Sequence, residues 1–350
     1  MATSTADQPI QVVPVAAGAA QCPWPTRDVS DLHLAHAPEW AAVIAQAYGH
    51  APMYFAAEGD AGHVGFLPAF VVRRPLLGTV VTSMPFLDGG GPCATSAAVA
   101  DGLVTRLVEE SRRLGARLVE IRSARRLPVA TAPMEHKVNL VLPLTSEPDE
   151  VWKRVDRAGR SQIRKAERSG LSIDVGGAEN VDDFYAIFAT RMHELGSPVH
   201  AQAFFDAIAE YFGPRARVIV VRKGSTAIGG LIALAFNQTM TVPWASCLRQ
   251  FSALCPNMLL YWEAIRAASL EGFTRFDFGR STLDSGTFHF KRQWGAEPSP
   301  LYWYSIPIPA DRRVATETTA VEGLGIKVWR HLPPTVARRL GPHVRKYLIQ

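Results

Sequence analysis

The chain has 350 residues, of which 47% are hydrophobic and 20% are charged. This composition is typical of a globular protein with a sizeable core, and the length suits two domains. The net charge of +5 comes from residues 311–350, which hold eight Lys/Arg against three acids. Residues 1–310 are balanced, so bulk charge does not indicate a general nucleic-acid-binding surface.

No targeting or metal-binding signal stands out. The first ten residues contain no Lys or Arg, and the longest apolar run, residues 227–236, is ten residues long. A membrane-spanning helix needs about 20 apolar residues. His33 and His36 are three apart without a third ligand nearby. We therefore expect a cytoplasmic protein with no metal site.

The first half begins its predicted elements with a strand–turn–strand over residues 62–86, followed by a Gly-rich loop at 88–92. A helix is predicted over 96–115, because Leu103, Leu107 and Leu114 follow helical spacing. A strand over 116–123 follows. It carries an acid, Glu120, five residues after the helix-ending Gly115.

The second half repeats this order. Three strands with tight turns are predicted over 218–246, then a helix over 258–272 and a strand over 273–281. Asp277 again follows the helix-ending Gly272 by five residues, and the two glycines are 157 residues apart. The pattern predicts an internal duplication. The segment PLTSEP, residues 143–148, is the predicted hinge, which gives domains over 1–145 and 146–308.

A basic stripe is predicted on one helix over residues 149–169. Apolar or small residues recur every three or four positions and define a buried face. The second face carries Lys153, Arg157, Arg160, Arg164 and Arg168. Such a stripe is either a solvated face or a site for phosphate or carboxylate groups, which arginine binds in bidentate fashion.

Residues 309–350 are predicted to form a basic tail of short helical pieces interrupted by Pro333, Pro334 and Pro342. One interpretation is a surface that contacts the inner face of a membrane or a partner. The favoured interpretation is a helix pair that packs on the N-terminal domain with its charges in solvent.

Three segments resemble the FemAB-like transferases: RSQIRKAERSGL at 160–171, RMHELGSPVH at 191–200 and FDFGRSTLDSGTFHFKRQWG at 276–295. The loop PFLDGGGP at 85–92 is similar to a first-domain loop of that family. The resemblance implies an α/β fold of two tandem GNAT-like (acyl-CoA N-acyltransferase-like) domains with mixed, mostly antiparallel sheets. It also implies chemistry in the second domain.

For function, the resemblance implies transfer of an acyl or aminoacyl group to an amine of a cell-envelope or exopolysaccharide intermediate. The donor is left open between aminoacyl-tRNA and acyl-CoA. The loop Q/R-x-x-G-x-G/A of ordinary acetyltransferases is absent, since SALCPNML stands before the second-half helix. The long helical arm of some FemAB enzymes is also absent. The expected acceptor is an anionic glycan or nucleotide-linked compound, tRNA is a further candidate partner, and the oligomeric state is left open.

Candidate site residues follow from the same segments. Lys291 matches the lysine of the family's F-K-x-x-aromatic motif, and we expect it on an aromatic-flanked strand, stabilising the oxyanion of acyl transfer. Asp277 is a candidate base, although the substrate itself could handle the proton. The predicted substrate-binding residues are Arg160, Arg164, Lys165, Arg191, His193, His200, Arg280 and Arg292.

Two alternatives are kept. One is an acetyl-CoA-dependent N-acetyltransferase of a small amine or amino sugar. The other is a non-catalytic envelope or exopolysaccharide assembly factor that uses the basic tail.

Overall fold

The computed structural model describes residues 11–15, 32–60, 62–75, 77–308 and 329–349. Its strands, in chain order, are β1 Gln11–Val15, β2 Ala51–Pro52, β3 Tyr54–Gly59, β4 Gly62–Leu67, β5 Phe70–Arg74, β6 Gly78–Thr82, β7 Cys93–Ala94, β8 Leu118–Ser123, β9 Lys137–Pro143, β10 Leu171–Gly176, β11 Ala216–Lys223, β12 Thr226–Phe236, β13 Thr239–Cys247, β14 Arg275–Thr282, β15 Glu297–Pro300 and β16 Tyr302–Pro307. Its helices are α1 Glu39–Tyr48, α2 Ala97–Arg113, α3 Pro148–Arg154, α4 Arg157–Arg168, α5 Val181–Leu195, α6 Gln202–Phe212, α7 Pro256–Leu270, α8 Gly286–Arg292 and α9 Pro334–Arg345.

The chain forms two units. Unit 1 comprises Met1–Ala41, His50–Glu135 and Leu301–Arg313, and unit 2 comprises Ala42–Gly49, His136–Pro300 and Val314–Gln350. The boundaries differ from those predicted at residues 145 and 308. Strand β9 lies before the hinge yet pairs with β14 and β15, whereas β16 pairs with β8. The prolines of PLTSEP therefore mark a loop inside unit 2, because strand pairing and not local composition decides the boundary.

Unit 1 contains two sheets, with strand orders β1-β3-β4-β7 and β16-β8-β6-β5-β2. Helix α2 begins at the cap residue Ser96, whose Oγ accepts a hydrogen bond from Val99 N at 3.3 Å. Its Leu103 and Leu107 are fully buried in the core of this unit. Strand β6, which precedes the short β7 and α2, pairs in parallel with β8, which follows α2.

Unit 2 is built on one seven-stranded sheet of order β10-β11-β12-β13-β14-β9-β15. Its neighbours are antiparallel except β13 and β14, which flank α7 in sequence and run parallel. The apolar faces of α4 and α7 bury Ile163, Leu260 and Ile265 in the core of this unit. Helix α5 contacts β11, β12 and β13, and α6 contacts β11.

The two units share one strand–helix–strand arrangement. In unit 1, Thr82 of β6 lies opposite Glu120 of β8 in the parallel ladder. In unit 2, Thr241 of β13 lies opposite Asp277 of β14 in the same way. The acids that mark the sequence repeat therefore occupy matching positions, as the internal duplication predicts.

Two predicted helical segments differ in the structure. The single helix expected over 149–169 is two helices, because Val155 is extended and Asp156 caps α4 by accepting from Gly159 N at 2.6 Å. In the tail, α9 begins at Pro334 and continues through Pro342, so the predicted interruption at Pro342 is wrong. The helix packs against α5 of unit 2. The part of the tail at 309–328 lies outside the described residues.

Candidate active site in the second unit

The two parallel strands of unit 2 part after a short ladder. Pairing between β13 and β14 covers three residue pairs, ending at Thr241 and Asp277. Beyond that point β13 stays paired with β12 as far as Cys247. A register shift between Ile232 and Leu234 marks an irregularity in the β12–β13 ladder beside the parting. The stretch of β13 and β14 beyond Thr241 and Asp277, where the pairing between the two strands ends, is called the opening.

The opposite edge of the opening is shaped by a bulge in β14. Its register with β9 shifts between Asp277 and Arg280, and Gly279 has a φ of +70°. The Asp277 carboxylate holds this turn, since Oδ1 accepts from Gly279 N at 2.8 Å and Oδ2 accepts from Asn139 Nδ2 at 2.9 Å. The Asp277 carboxylate therefore fixes the backbone of the bulge.

Lys291 lies behind this bulge on helix α8, so the prediction that it sits on a strand is wrong. Ser285 caps the helix by accepting from Phe288 N at 3.3 Å, and Phe288, Lys291 and Trp294 are buried at intervals of three. The Lys291 side chain is 8% exposed. Its Nζ donates to the carbonyls of Gly279 at 2.9 Å and Arg280 at 2.7 Å. The Lys291 ammonium therefore bonds the carbonyls of the same turn whose Gly279 N–H donates to the Asp277 carboxylate.

A cluster of aromatic rings packs around Phe278 of β14. The Tyr261 ring of α7 lies 5.4 Å from Phe278 and 5.2 Å from Phe290, measured between ring centroids. Trp294 adds a further ring at 6.3 Å from Phe278.

At the end of β13, burial raises the pKa of the Cys247 thiol to about 12, against a lowering by Arg191. The thiol is therefore protonated near neutral pH and is not a nucleophile.

The matching position in unit 1 carries a buried arginine. Arg122 stands two residues after Glu120, as Gly279 stands two residues after Asp277. Its side chain is 2% exposed, donates to Leu87 O at 2.8 Å and lies 4.9 Å from the Trp303 ring centroid. Ser83 also bonds across to β8, donating from its N to Glu120 O at 2.9 Å. The Arg122 side chain therefore links β8 to the loop at Leu87 and to the Trp303 ring within unit 1.

The cations of α4 divide into a bound and an exposed set. Arg160 is half-buried and donates to the carbonyl of Val155 at the start of the helix. Arg164 is exposed, with its guanidinium 5.7 Å from the Trp152 ring centroid. Within the described ranges, no carboxylate forms a salt bridge with Arg157, Arg164, Lys165 or Arg168. These four side chains are suited to an anion.

The predicted binding residues of the 191–200 segment contact other protein groups in the structure. Arg191 forms an ion pair with Glu194. His193 donates from Nε2 to the carbonyl of Leu332 at 2.9 Å. His200 is buried and lies 2.6 Å from Tyr48 Oη through Nδ1. The structure therefore uses this segment to anchor neighbouring helices of unit 2.

Arg280 and Arg292 are separated by the bulge. Arg280 is half-buried on β14, where Asn139 of β9 is its partner in the ladder, whereas Arg292 is exposed and donates to Ala296 O at 2.8 Å. Asn139 and Gly279 are not among the predicted site residues, although an amide inside the apolar strand KVNLVLP is a usable signal.

The segment before α7 adopts a 3-10 turn over Arg249–Leu254, and Cys255 takes a left-handed conformation with φ of 56° before Pro256 begins the helix. Among the described residues, no group of three or more His, Cys, Asp or Glu is arranged to hold a metal ion. In the same ranges, no helix is both long enough and apolar enough to cross a membrane.

Comparison with known proteins agrees with this geometry. The family model described as an acetyltransferase (GNAT) domain matches residues 153–292. No curated protein matches the sequence.

Several solved structures share the fold. The crystal structure of FemX has a TM-score of 0.61 and 13% identity, covering 77% of this chain and 92% of that chain. L-PGS from Bacillus licheniformis has a TM-score of 0.51 and 11% identity, covering 84% and 92% respectively. A tandem GNAT protein from the clavulanic acid biosynthesis pathway has a TM-score of 0.51 and 10% identity, covering 87% and 100%. Residues 153–292 therefore match the acetyltransferase (GNAT) family model, and the chain shares the fold of FemX and of a tandem GNAT protein.

Proposed function

We propose that the protein is an N-acyltransferase that transfers an acyl or aminoacyl group to an amine of an anionic cell-envelope or exopolysaccharide intermediate. The observation that carries this proposal is the parting of β13 and β14 after Thr241 and Asp277 inside a GNAT domain. An acyl donor would lie in the opening with its carbonyl beside the bulge. The Arg122 side chain, buried at the position of unit 1 that matches Gly279, favours unit 2 over unit 1 as the site.

The reaction needs few protein groups. The lone pair of a neutral acceptor amine attacks the donor carbonyl carbon, a C–N bond forms and the carbonyl oxygen becomes an oxyanion. The C–S or C–O bond of the donor then breaks, and the leaving group takes up the proton that the amine loses. In this proposal Lys291 and Asp277 act as positioning residues that fix the backbone of the bulge beside the reacting carbonyl.

The exposed cations of α4 are assigned to the acceptor or the donor. Arg164, Lys165 and their neighbours present positive charge without a competing carboxylate in the described part of the chain. Phosphate or sugar-acid groups are the chemistry that such a face accepts. Exopolysaccharide and envelope intermediates linked to nucleotides or lipid phosphates carry these groups.

Acetyl-CoA-dependent N-acetylation of a small amine or amino sugar is the second candidate function. It is favoured by the acetyltransferase (GNAT) family match over residues 153–292. It is disfavoured by the segment before α7, which lacks the glycines of the usual pyrophosphate-binding loop. The donor therefore decides between the two candidates.

The test uses the purified full chain with each donor class. Acetyl-CoA that binds the folded state raises the melting temperature by mass action, by an amount that grows with ligand concentration. Aminoacyl-tRNA is tested by transfer of a radiolabelled amino acid to nucleotide-linked amino sugars and peptides. Stabilisation by acetyl-CoA with acetyl transfer favours the second candidate, and label transfer from tRNA favours the aminoacyl form of the first. If neither donor binds and no label moves, the chain is a non-catalytic assembly factor and both enzyme proposals fail.

A further inference from the structure

The C-terminal helix α9 has one face packed against unit 2. Ala337 is 2% exposed, and a Cβ added to Gly341 would lie 3.0 Å from both N and Cγ1 of Val199. Arg345 donates from Nε to Nε2 of His200 at 3.1 Å, and Arg338 lies 5.0 Å from the Tyr185 ring centroid. These contacts fix the rotation of the helix about its axis and so decide which residues face solvent.

An apolar stripe on α9 faces solvent as a result. Val336, Leu340 and Val344 are 39%, 45% and 38% exposed, and Leu348 just beyond the helix is 43% exposed. Successive members are four residues apart, so they lie along one side of the helix. Apolar side chains scattered singly over a surface are ordinary, but a row of four is not. The outer surface of a helix packed on a globular domain is normally polar, which points to a partner for this row.

The charge beside the stripe indicates the kind of partner. Arg339 and His343 each precede a stripe residue by one position, which places them about 100° around the helix, on the side away from the packed face. Residues 329–349 contain five Lys/Arg and no Asp or Glu. An apolar row bordered by cations is the pattern of helices that lie in the interface of an anionic membrane.

We propose that α9 docks the protein onto the surface of an anionic bilayer, with Val336, Leu340 and Val344 inserted among the lipid headgroups and Arg339 and Lys346 at the phosphates. A second copy of the chain fits this face less well, because a two-fold interface would bring two acid-free basic edges together. Nucleic acid would use the charges but leaves the apolar row without a partner. This proposal is independent of the reaction proposed above.

The test is co-sedimentation of the full chain with large unilamellar vesicles. We expect binding to vesicles of phosphatidylcholine with about 30% phosphatidylglycerol, little binding to pure phosphatidylcholine, and release as salt is raised to about 0.5 M. Leu340→Gln/Val344→Gln is expected to lower the apparent partition coefficient at least tenfold, because two inserted side chains lose their apolar contact. The matched control is Leu270→Gln, at an apolar residue on α7 that is 60% exposed, and it should bind as the wild type does.

A second double variant measures how much the basic side chains contribute to vesicle binding. Arg339→Gln/Lys346→Gln should weaken binding by about fivefold per charge, whereas Arg112→Gln/Arg113→Gln on α2 removes the same charge elsewhere and should change binding little. Melting temperatures of all variants establish that each is folded. The proposal is overturned if the wild type binds neither vesicle, or if Leu340→Gln/Val344→Gln binds like the wild type. It is also overturned if light scattering shows a dimer that this variant dissociates while vesicles bind nothing.

Discussion

The Nε atom of Arg345 lies 3.1 Å from Nε2 of His200. Because a guanidinium can only donate hydrogen bonds, this ring nitrogen carries the lone pair. The proton of the neutral ring is therefore on Nδ1, which donates to Tyr48 Oη at 2.6 Å. Burial, and secondly the charge of Arg345, hold the pKa of His200 well below its usual range. The contact that anchors α9 thus depends on a histidine that stays neutral.

We expect the free energy of unfolding to fall as pH is lowered below about 6.5, the ordinary pKa of histidine. The unfolded chain takes up a proton there that the buried ring does not, so stability rises with pH through this window. One such histidine gives a slope of up to about 1.4 kcal/mol per pH unit. His36, whose pKa burial also lowers, contributes in the same direction.

The His200 share is isolated by His200→Gln, which cannot titrate. Urea unfolding followed by fluorescence at about pH 5.5 and about pH 7.5 gives, for each protein, the change of the free energy of unfolding with pH. The variant should be less stable than the wild type at the higher pH and should show a shallower loss on acidification. Equal slopes for the two proteins would mean that His200 is not the neutral partner of Arg345.

Local spacing predicts much of this fold. The helix-ending Gly115 and Gly272, each followed by an acid, reveal the repeat because cap chemistry and strand length are local properties. The aromatic residues that alternate around Lys291 favour a strand, so the local pattern predicts the wrong element there. The Ser285 cap and the three-residue spacing of Phe288, Lys291 and Trp294 make that segment helical.

Long-range pairing is what the sequence does not carry. Asp277 and Asn139 are 138 positions apart, and they meet only because β9 inserts between β14 and β15. Likewise, His193 and His200 are predicted to bind substrate, and the sequence does not indicate that Leu332 and Arg345 of the C-terminal segment form hydrogen bonds with them. Such partners depend on register and docking, for which no local pattern exists.

Replacing Lys291 by methionine tests the brace behind the bulge. The variant leaves the carbonyls of Gly279 and Arg280 without the ammonium, so we expect a loss of about 1–3 kcal/mol in stability. We also expect kcat/KM to fall about 100-fold, as when a preorganised group is lost from an acyl-transfer site. Lys291→Arg keeps donors near both carbonyls and should recover part of each loss.

Lys223→Met is the matched control for this test, because Lys223 also donates from Nζ to a backbone carbonyl, that of Ser169, but is exposed. Its kinetics should match those of the wild type. A folded Lys291→Met protein with full activity would remove Lys291 from the proposed site.

Asp277 is expected to position the bulge and not to act as the base. Asp277→Asn keeps an oxygen that can accept from Gly279 N, so kcat should fall less than about tenfold and the pH–rate profile should keep its shape. Asp277→Ala removes the acceptor for both Gly279 N and Asn139 Nδ2 and should be the more damaging change. A loss of about 1,000-fold in Asp277→Asn, with the acidic limb of the profile flattened, would instead identify a general base.

The exposed arginines of α4 should contribute to binding of an anionic substrate and not to the chemical step. Arg164→Gln/Arg168→Gln is expected to raise KM for that substrate two- to fivefold per charge, with kcat unchanged, since exposed ion pairs are individually weak. The difference should shrink as ionic strength rises, because salt screens solvent-exposed charges. Arg112→Gln/Arg113→Gln removes equal charge from α2 and distinguishes a local contact from the overall field of the protein. If both double variants raise KM equally, the attraction comes from the overall field, and the α4 face is not the binding site.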